Sequence, residues 1–180
     1  MDFQLDDDPG FLLFYAHLSV AYALAEALKA CCQEHNKPYV ITPPQWGILI
    51  LLYENDGLTI GTVSQKRGFD APSITGVVKR LEQSGLVERR HDLQDRRLVK
   101  VFLTEEGRDI MQFLPATVIA FSQTLTRGFS ETEMRDLRSK LRRIMTNVSA
   151  ETPGKSTPRF NFLSQHSWFA PEESDPAREE

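Results

Sequence analysis

The chain has 180 residues, 41% hydrophobic and 26% charged. That is room for one domain with an oligomerisation arm and a tail, and the composition excludes disorder or a collagen-like repeat as the overall class. Basic residues number 21 against 25 acidic ones, a net charge of −4, so no global basic field points to nucleic acid and the distribution matters more than the sum. The two cysteines, Cys31 and Cys32, are adjacent and poorly placed to bridge each other. This argues against a disulfide-stapled secreted scaffold and fits a reducing cytoplasm. Asp6, Asp7 and Asp8 stand before the first apolar stretch, where a signal peptide carries positive charge, and the about 20 apolar residues of a membrane span are not expected.

Residues 11–34 read as a long helix. Phe11, Leu12, Phe14, Tyr15, Leu18, Ala21, Leu24, Ala25 and Leu28 recur at helical spacing, and Ala16, Val20, Ala23 and Ala27 carry the apolar surface almost around the cylinder. A helix apolar on most sides must be covered on most sides, which points to a subunit interface rather than the centre of a monomeric bundle. Thr42 suits an N-cap and Pro43 a first helical position; the apolar run Trp46, Ile48–Leu52 then ends at the turn signal Asn55-Asp56-Gly57. A short helix follows from Thr59 to Arg67-Gly68. Asp70 caps a helix over 71–83 with Pro72 in its first turn; Ile74, Val77, Val78 and Leu81 are its buried stripe and Gly85 its left-handed stop.

Two strands, 86–90 and 98–103, flank a charged hairpin from His91 to Arg97. Thr104 begins another helix with Glu105 and Glu106 at its positive end. It continues into 108–127, where Pro115 kinks or splits it. Ser130 and Glu133 have capping-box spacing and open a last helix. Its stripe of Met134, Leu137, Leu141, Ile144 or Met145, and Val148 exceeds what one subunit needs. Residues 149–180 hold four of the ten prolines and an acidic end. A disordered tail is the default expectation, set against aromatics (Phe160, Phe162, Trp168, Phe169) suited to docking on the folded body.

The order helix, helix, helix, strand, charged hairpin, strand describes a winged helix-turn-helix, mainly α with a small β-hairpin wing and N- and C-terminal dimerisation helices. The helix at 71–83 is then the recognition helix. Opposite its apolar stripe lie Ser73, Thr75, Gly76, Lys79 and Arg80. Small polar residues allow close approach to base edges and phosphates, and the two cations neutralise phosphate charge. Between residues 76 and 100 seven basic residues face four acidic ones, a local positive footprint inside an acidic chain.

The string Ser73-Ile74-Thr75-Gly76-Val77-Val78-Lys79-Arg80-Leu81-Glu82-Gln83-Ser84-Gly85-Leu86-Val87-Glu88-Arg89, followed by Asp95-Arg96-Arg97 and Val101-Phe102-Leu103-Thr104-Glu105-Glu106-Gly107, resembles the recognition helix, wing and following helix of the MarR family of bacterial transcriptional regulators. The resemblance runs from about Phe11 to Val148. It implies a homodimeric regulator, in its more frequent mode a repressor, of a pseudo-palindromic double-stranded DNA operator. Residues 1–41 and 105–148 would dimerise, and 42–104 would bind DNA. Arg89, Arg90, Asp95, Arg96 and Arg97 become wing residues, Asp95 pairing with an arginine while Arg96 or Arg97 enters the minor groove.

Family members commonly respond to small aromatic acids or phenolic compounds. The effector-pocket candidates here are Tyr15, His17 and Trp46, each of which also reads as ordinary packing. The resemblance offers a thiol switch as an alternative, but Gly10 stands before Phe11-Leu12-Leu13-Phe14 where the peroxide-sensing branch has its cysteine. No catalytic motif is present, and His17, His35, His91 and His166 lack metal-ligand spacing. No enzyme, cofactor, metal or membrane partner is expected. A winged fold serving protein–protein assembly is the remaining alternative.

Overall fold

Asp8 starts the first helix. Its Oδ1 accepts the Phe11 amide at 2.9 Å, and Pro9 takes the first helical position, where its missing N–H costs nothing. The helix α1 therefore spans Pro9–Glu34, two residues earlier than the apolar pattern alone suggests. The computed structural model describes residues 7–92 and 95–151. Only Leu28, Cys31 and Cys32 of α1 are buried, whereas Leu12, Phe14, Tyr15, Leu18 and Tyr22 are exposed. One sequence expectation is corrected here. By length and composition α1 is apolar enough to cross a membrane, because its alanines, leucines and aromatics run on with few charges among them. The same composition suits a helix sandwiched between protein surfaces.

The helix α2, Pro43–Glu54, opens at Thr42, whose N–H and hydroxyl both donate to Gln45 Oε1 at 2.9 Å. Its segment Ile48–Leu52 is buried and forms the centre of the core with Val63, Ile74, Val78, Leu81, Leu86, Val101, Leu103 and Ile110. A two-residue strand β1, Leu58–Thr59, leads into α3, Ile60–Arg67, which Thr59 caps and Gly68 ends at φ 67°. The helix α4, Ala71–Gln83, is capped by Asp70 Oδ1 on the Ser73 amide at 2.8 Å. The strands β2, Val87–His91, and β3, Val99–Leu103, form an antiparallel hairpin in register from Val87 opposite Leu103 to His91 opposite Val99.

β1 pairs with the other edge of β3, Leu58 opposite Val101, giving the order β1-β3-β2. The sequence reading missed β1, since two residues show no alternation and their strand character comes wholly from β3, far along the chain. Thr104 next does two things: its hydroxyl donates to the Gly85 carbonyl at 2.6 Å and accepts the Gly107 amide at 3.0 Å. It thereby caps α5, Glu105–Ile110. A Cβ on Gly107 would collide with the Leu86 carbonyl oxygen, so α5 sits directly on the turn before the wing.

The expected break comes before Pro115, which lies in the first turn of α6, Leu114–Leu125. The helix α7, Glu131–Glu151, opens with the Ser130–Glu133 box: the Ser130 amide donates to Glu133 Oε2 at 2.8 Å and the Glu133 amide to Ser130 Oγ at 3.3 Å. It runs past Val148 because Ser149 continues the helix, its hydroxyl donating to the Met145 carbonyl at 2.9 Å. The change of character read at 149 is thus three residues early. No residue of α7 is buried. The expectations for the tail from 152 onward, and for Leu93 and Gln94, lie outside the described residues.

Candidate nucleic-acid interface

On α4 the apolar stripe faces the core and leaves Ser73, Thr75, Lys79 and Arg80 exposed, with Gly76 half-buried. The Ser73 hydroxyl donates to Asp70 Oδ2 and the Thr75 hydroxyl to the Ala71 carbonyl, both at 2.8 Å. Each hydroxyl is thus oriented by the helix and keeps lone pairs to accept with. The Ser73 bonds hold the Asp70 carboxyl below its ordinary value, so the cap is charged. Lys79 and Arg80 have no side-chain partner among the described residues, as cations meant for an external anion would be.

The wing arginines divide into two pairs. Arg89 donates to Glu82 Oε2 from Nε at 2.9 Å and Nη2 at 2.5 Å, tying β2 to the end of α4. This pair pushes the glutamate's pKa down and the guanidinium's up. Arg90 pairs with Glu88, and its guanidinium lies 5.0 Å over the Phe102 ring. Both are engaged in bracing the wing. Arg96 and Arg97, by contrast, are exposed and without a side-chain partner among the described residues.

Asp95 departs from what the resemblance implies. Its Oδ1 accepts the Arg97 backbone N–H at 3.0 Å, and among the described residues it makes no ion pair. An aspartate two positions before an amide closes an Asx turn, and that local bond competes with reaching the guanidinium. Lys100 instead pairs with Asp92, Nζ to Oδ2 2.5 Å.

The structure does not bring Tyr15, His17 and Trp46 together. Tyr15 is exposed, its ring 4.7 Å from Phe11 and 5.6 Å from Phe14. His17 is exposed, and Trp46 is half-buried against the core. No hydrogen bond or ring contact links the three among the described residues. Cys31 and Cys32 are free, buried thiols; burial pushes the Cys32 thiol up. The Thr117 hydroxyl donates to Cys31 Sγ at 2.9 Å, and His35, which donates from Nδ1 to the Cys31 carbonyl at 2.9 Å, stacks on Phe113 at 3.8 Å. These residues fasten α1 to α6.

Sequence reading missed a polar tie between the loop after α1 and α5. Lys37 Nζ lies 3.0 Å from Glu106 Oε1 and 2.5 Å from Asp109 Oδ2, and the Tyr39 hydroxyl donates to Glu106 Oε1 at 2.6 Å. Tyr39 and then Lys37 hold the Glu106 carboxyl below its ordinary value. Burial, reinforced by Glu106, pushes the Tyr39 phenol well up. Glu106 and Asp109 sit three apart on one helix face, a visible signal, but their partners lie 67 to 72 positions away.

A helix presenting small hydroxyls and two cations without side-chain partners among the described residues, beside a hairpin carrying two more, has the form of a winged helix-turn-helix. The model of the MarR family matches residues 41–99. The HTH-type transcriptional regulator TtmR of Methylorubrum extorquens (strain PA1) is 31% identical over 161 residues, 86% of this chain and 78% of that protein. The organic hydroperoxide resistance transcriptional regulator of Bacillus subtilis (strain 168) is 29% identical over 137 residues, covering 71% and 90%. The crystal structure of CouR from Rhodococcus jostii RHA1, bound to p-coumaroyl-CoA, superposes with a TM-score of 0.63 at 31% identity, over 78% of this chain and 94% of that one. The chain belongs to the MarR family of transcriptional regulators, which bind DNA and are not enzymes.

Proposed function

We propose that this chain is a cytoplasmic, homodimeric repressor that holds a pseudo-palindromic operator and releases it on binding a small aromatic acid or its thioester. In this reading residues 42–104 read DNA, with Ser73, Thr75, Gly76, Lys79 and Arg80 in the major groove and the wing in the minor groove. The observation that carries it is the division of cations: Lys79, Arg80, Arg96 and Arg97 lack partners among the described residues while Arg89 and Arg90 brace the wing. The dimer is supported by the exposed apolar residues of α1 and α7, Leu12, Leu18, Leu137, Leu141 and Val148 among them. Two copies would cover these faces with each other, and a two-fold axis would carry two α4 helices to successive grooves.

The effector class is supported by the p-coumaroyl-CoA held by the Rhodococcus relative. In a dimer, the exposed Tyr15 and His17 and the half-buried Trp46 would have to meet across subunits or stay apart.

The test is an anisotropy titration on a duplex selected by the full chain from a randomised pool, with a salt series and shuffled competitor. The expected result is binding about a thousandfold or more above competitor, with a salt slope of about −0.9 per phosphate contacted. Weak binding that the competitor abolishes would overturn sequence-specific regulation. The effector arm adds p-coumaroyl-CoA or p-coumarate; no release by either would remove the aromatic-acid class and leave the DNA reading standing.

A further inference from the structure

We propose that His91 is a positioning residue for the wing arginines, acting through a single peptide plane. This rests on the reading that Arg96 and Arg97 contact DNA. His91 closes β2 opposite Val99, and its Nδ1 lies 3.0 Å from the carbonyl oxygen of Arg96. A carbonyl only accepts, so Nδ1 carries the proton and donates. The N–H of the same peptide unit, that of Arg97, donates to Asp95 Oδ1 at 3.0 Å.

The plane between the two arginines is thus held at both ends, its oxygen by His91 and its nitrogen by Asp95. Because the peptide unit is rigid, fixing this plane restricts the directions in which both arginine side chains leave the backbone.

The frame around the plane is itself tied down. Asp92 Oδ1 accepts the Asp95 amide at 2.9 Å and Asp92 Oδ2 pairs with Lys100 Nζ at 2.5 Å. The Asp92 amide donates to the Leu98 carbonyl and the Leu98 amide to the Asp95 carbonyl, each at 2.9 Å. These bonds hold the described backbone on both sides of the plane, while both guanidiniums remain exposed and without a partner among the described residues. A preorganised element loses less conformational freedom on binding than a floppy one. The clamp supplies that order on the wing without using the charges that DNA needs.

A double-mutant cycle tests the proposal on the full chain, using the fluorescein-labelled duplex selected above as probe. His91→Phe keeps a ring but removes the donor. His91→Asn keeps a donor at nearly the same place. We expect His91→Phe to weaken binding by about five- to twentyfold and His91→Asn to stay within about twofold of the parent, whereas in an Arg96→Ala, Arg97→Ala background His91→Phe should change affinity by less than about twofold.

The salt slope should flatten in His91→Phe by about as much as in the double arginine variant. A His91→Phe loss equally large in both backgrounds would mean that His91 touches phosphate itself or holds the sheet, and the proposal would fall. So would an undiminished affinity in His91→Phe alone. If the arginine variant binds like the parent, the minor-groove reading fails first, and that failure is visible before any His91 variant is measured.

Discussion

Helices α4 and α7 carry the same kind of pattern and meet opposite fates. In α4, Ile74, Val77, Val78 and Leu81 recur at three and four residues and are all buried. In α7, Leu137, Leu141, Ile144 and Val148 recur at the same steps and stay 37%, 37%, 36% and 56% exposed. Helical periodicity announces that a face will be covered, but it does not say whether the cover comes from the same chain. The winged region closes around α2 with its own residues and with buried side chains of α1, α5 and α6, whereas the helices at either end leave apolar faces exposed among the described residues. This contrast underlies the proposed division of labour between DNA reading and dimerisation.

The comparison can be broken experimentally at both ends. Leu81→Ala deletes a fully buried side chain and should cost about 2–5 kcal/mol of stability, seen as a lower denaturant midpoint at every protein concentration. Leu141→Ala, on the exposed stripe of α7, should instead lower a concentration-dependent melting temperature by weakening the proposed dimer, with about 1.5–3 kcal/mol at stake. A midpoint shift independent of concentration in Leu141→Ala would erase the distinction. On the DNA side, Arg96→Ala or Arg97→Ala should weaken operator binding by about 1–3 kcal/mol and leave the proposed dimer folded, read by titration and sedimentation.

Smaller effects sharpen the picture at the junction of the two regions. The Glu106 carboxylate is held below its ordinary value by Tyr39 and Lys37. Its stabilisation is therefore complete above the unfolded glutamate's titration and is lost as pH falls through the lowered folded value. Glu106→Gln should lower stability at neutral pH and flatten the decline toward acid, measured as unfolding midpoints across a pH series. An unchanged acid limb would show that the tie contributes nothing. Smallest of all, Arg89→Ala removes a pair that is about one-third to two-fifths exposed and should cost about 0–1 kcal/mol.

How much was legible follows from where the information sits. The α4 cap at Asp70, its span 71–83 and the stops at Gly68 and Gly85 are local, and all were readable from neighbouring residues. The break before Pro115 was readable for the same reason. The start of α1 is harder to read, because Asp8 is one of three consecutive aspartates and only its bond to the Phe11 amide marks it as the cap.

Features made by distant partners were not legible. β1 exists through β3, and Lys37 and Tyr39 meet Glu106 across most of the winged region. At the candidate site, spacing picked out the exposed hydroxyls and cations of α4. It could not separate Arg89 and Arg90, held by Glu82 and Glu88, from Arg96 and Arg97. Nor could it foresee that Asp95 grips a backbone amide, since an Asx turn and an ion pair use the same residue.

The bare α-carbon at Gly107 sets a limit on how this protein can change. With the Leu86 carbonyl where a methyl would go, a saturation library should leave position 107 with a single viable occupant, while the exposed neighbours Glu105 and Arg108 accept many. A lineage could vary the exposed positions of α4 freely, while the close seat of α5 on the turn before the wing stays as it is.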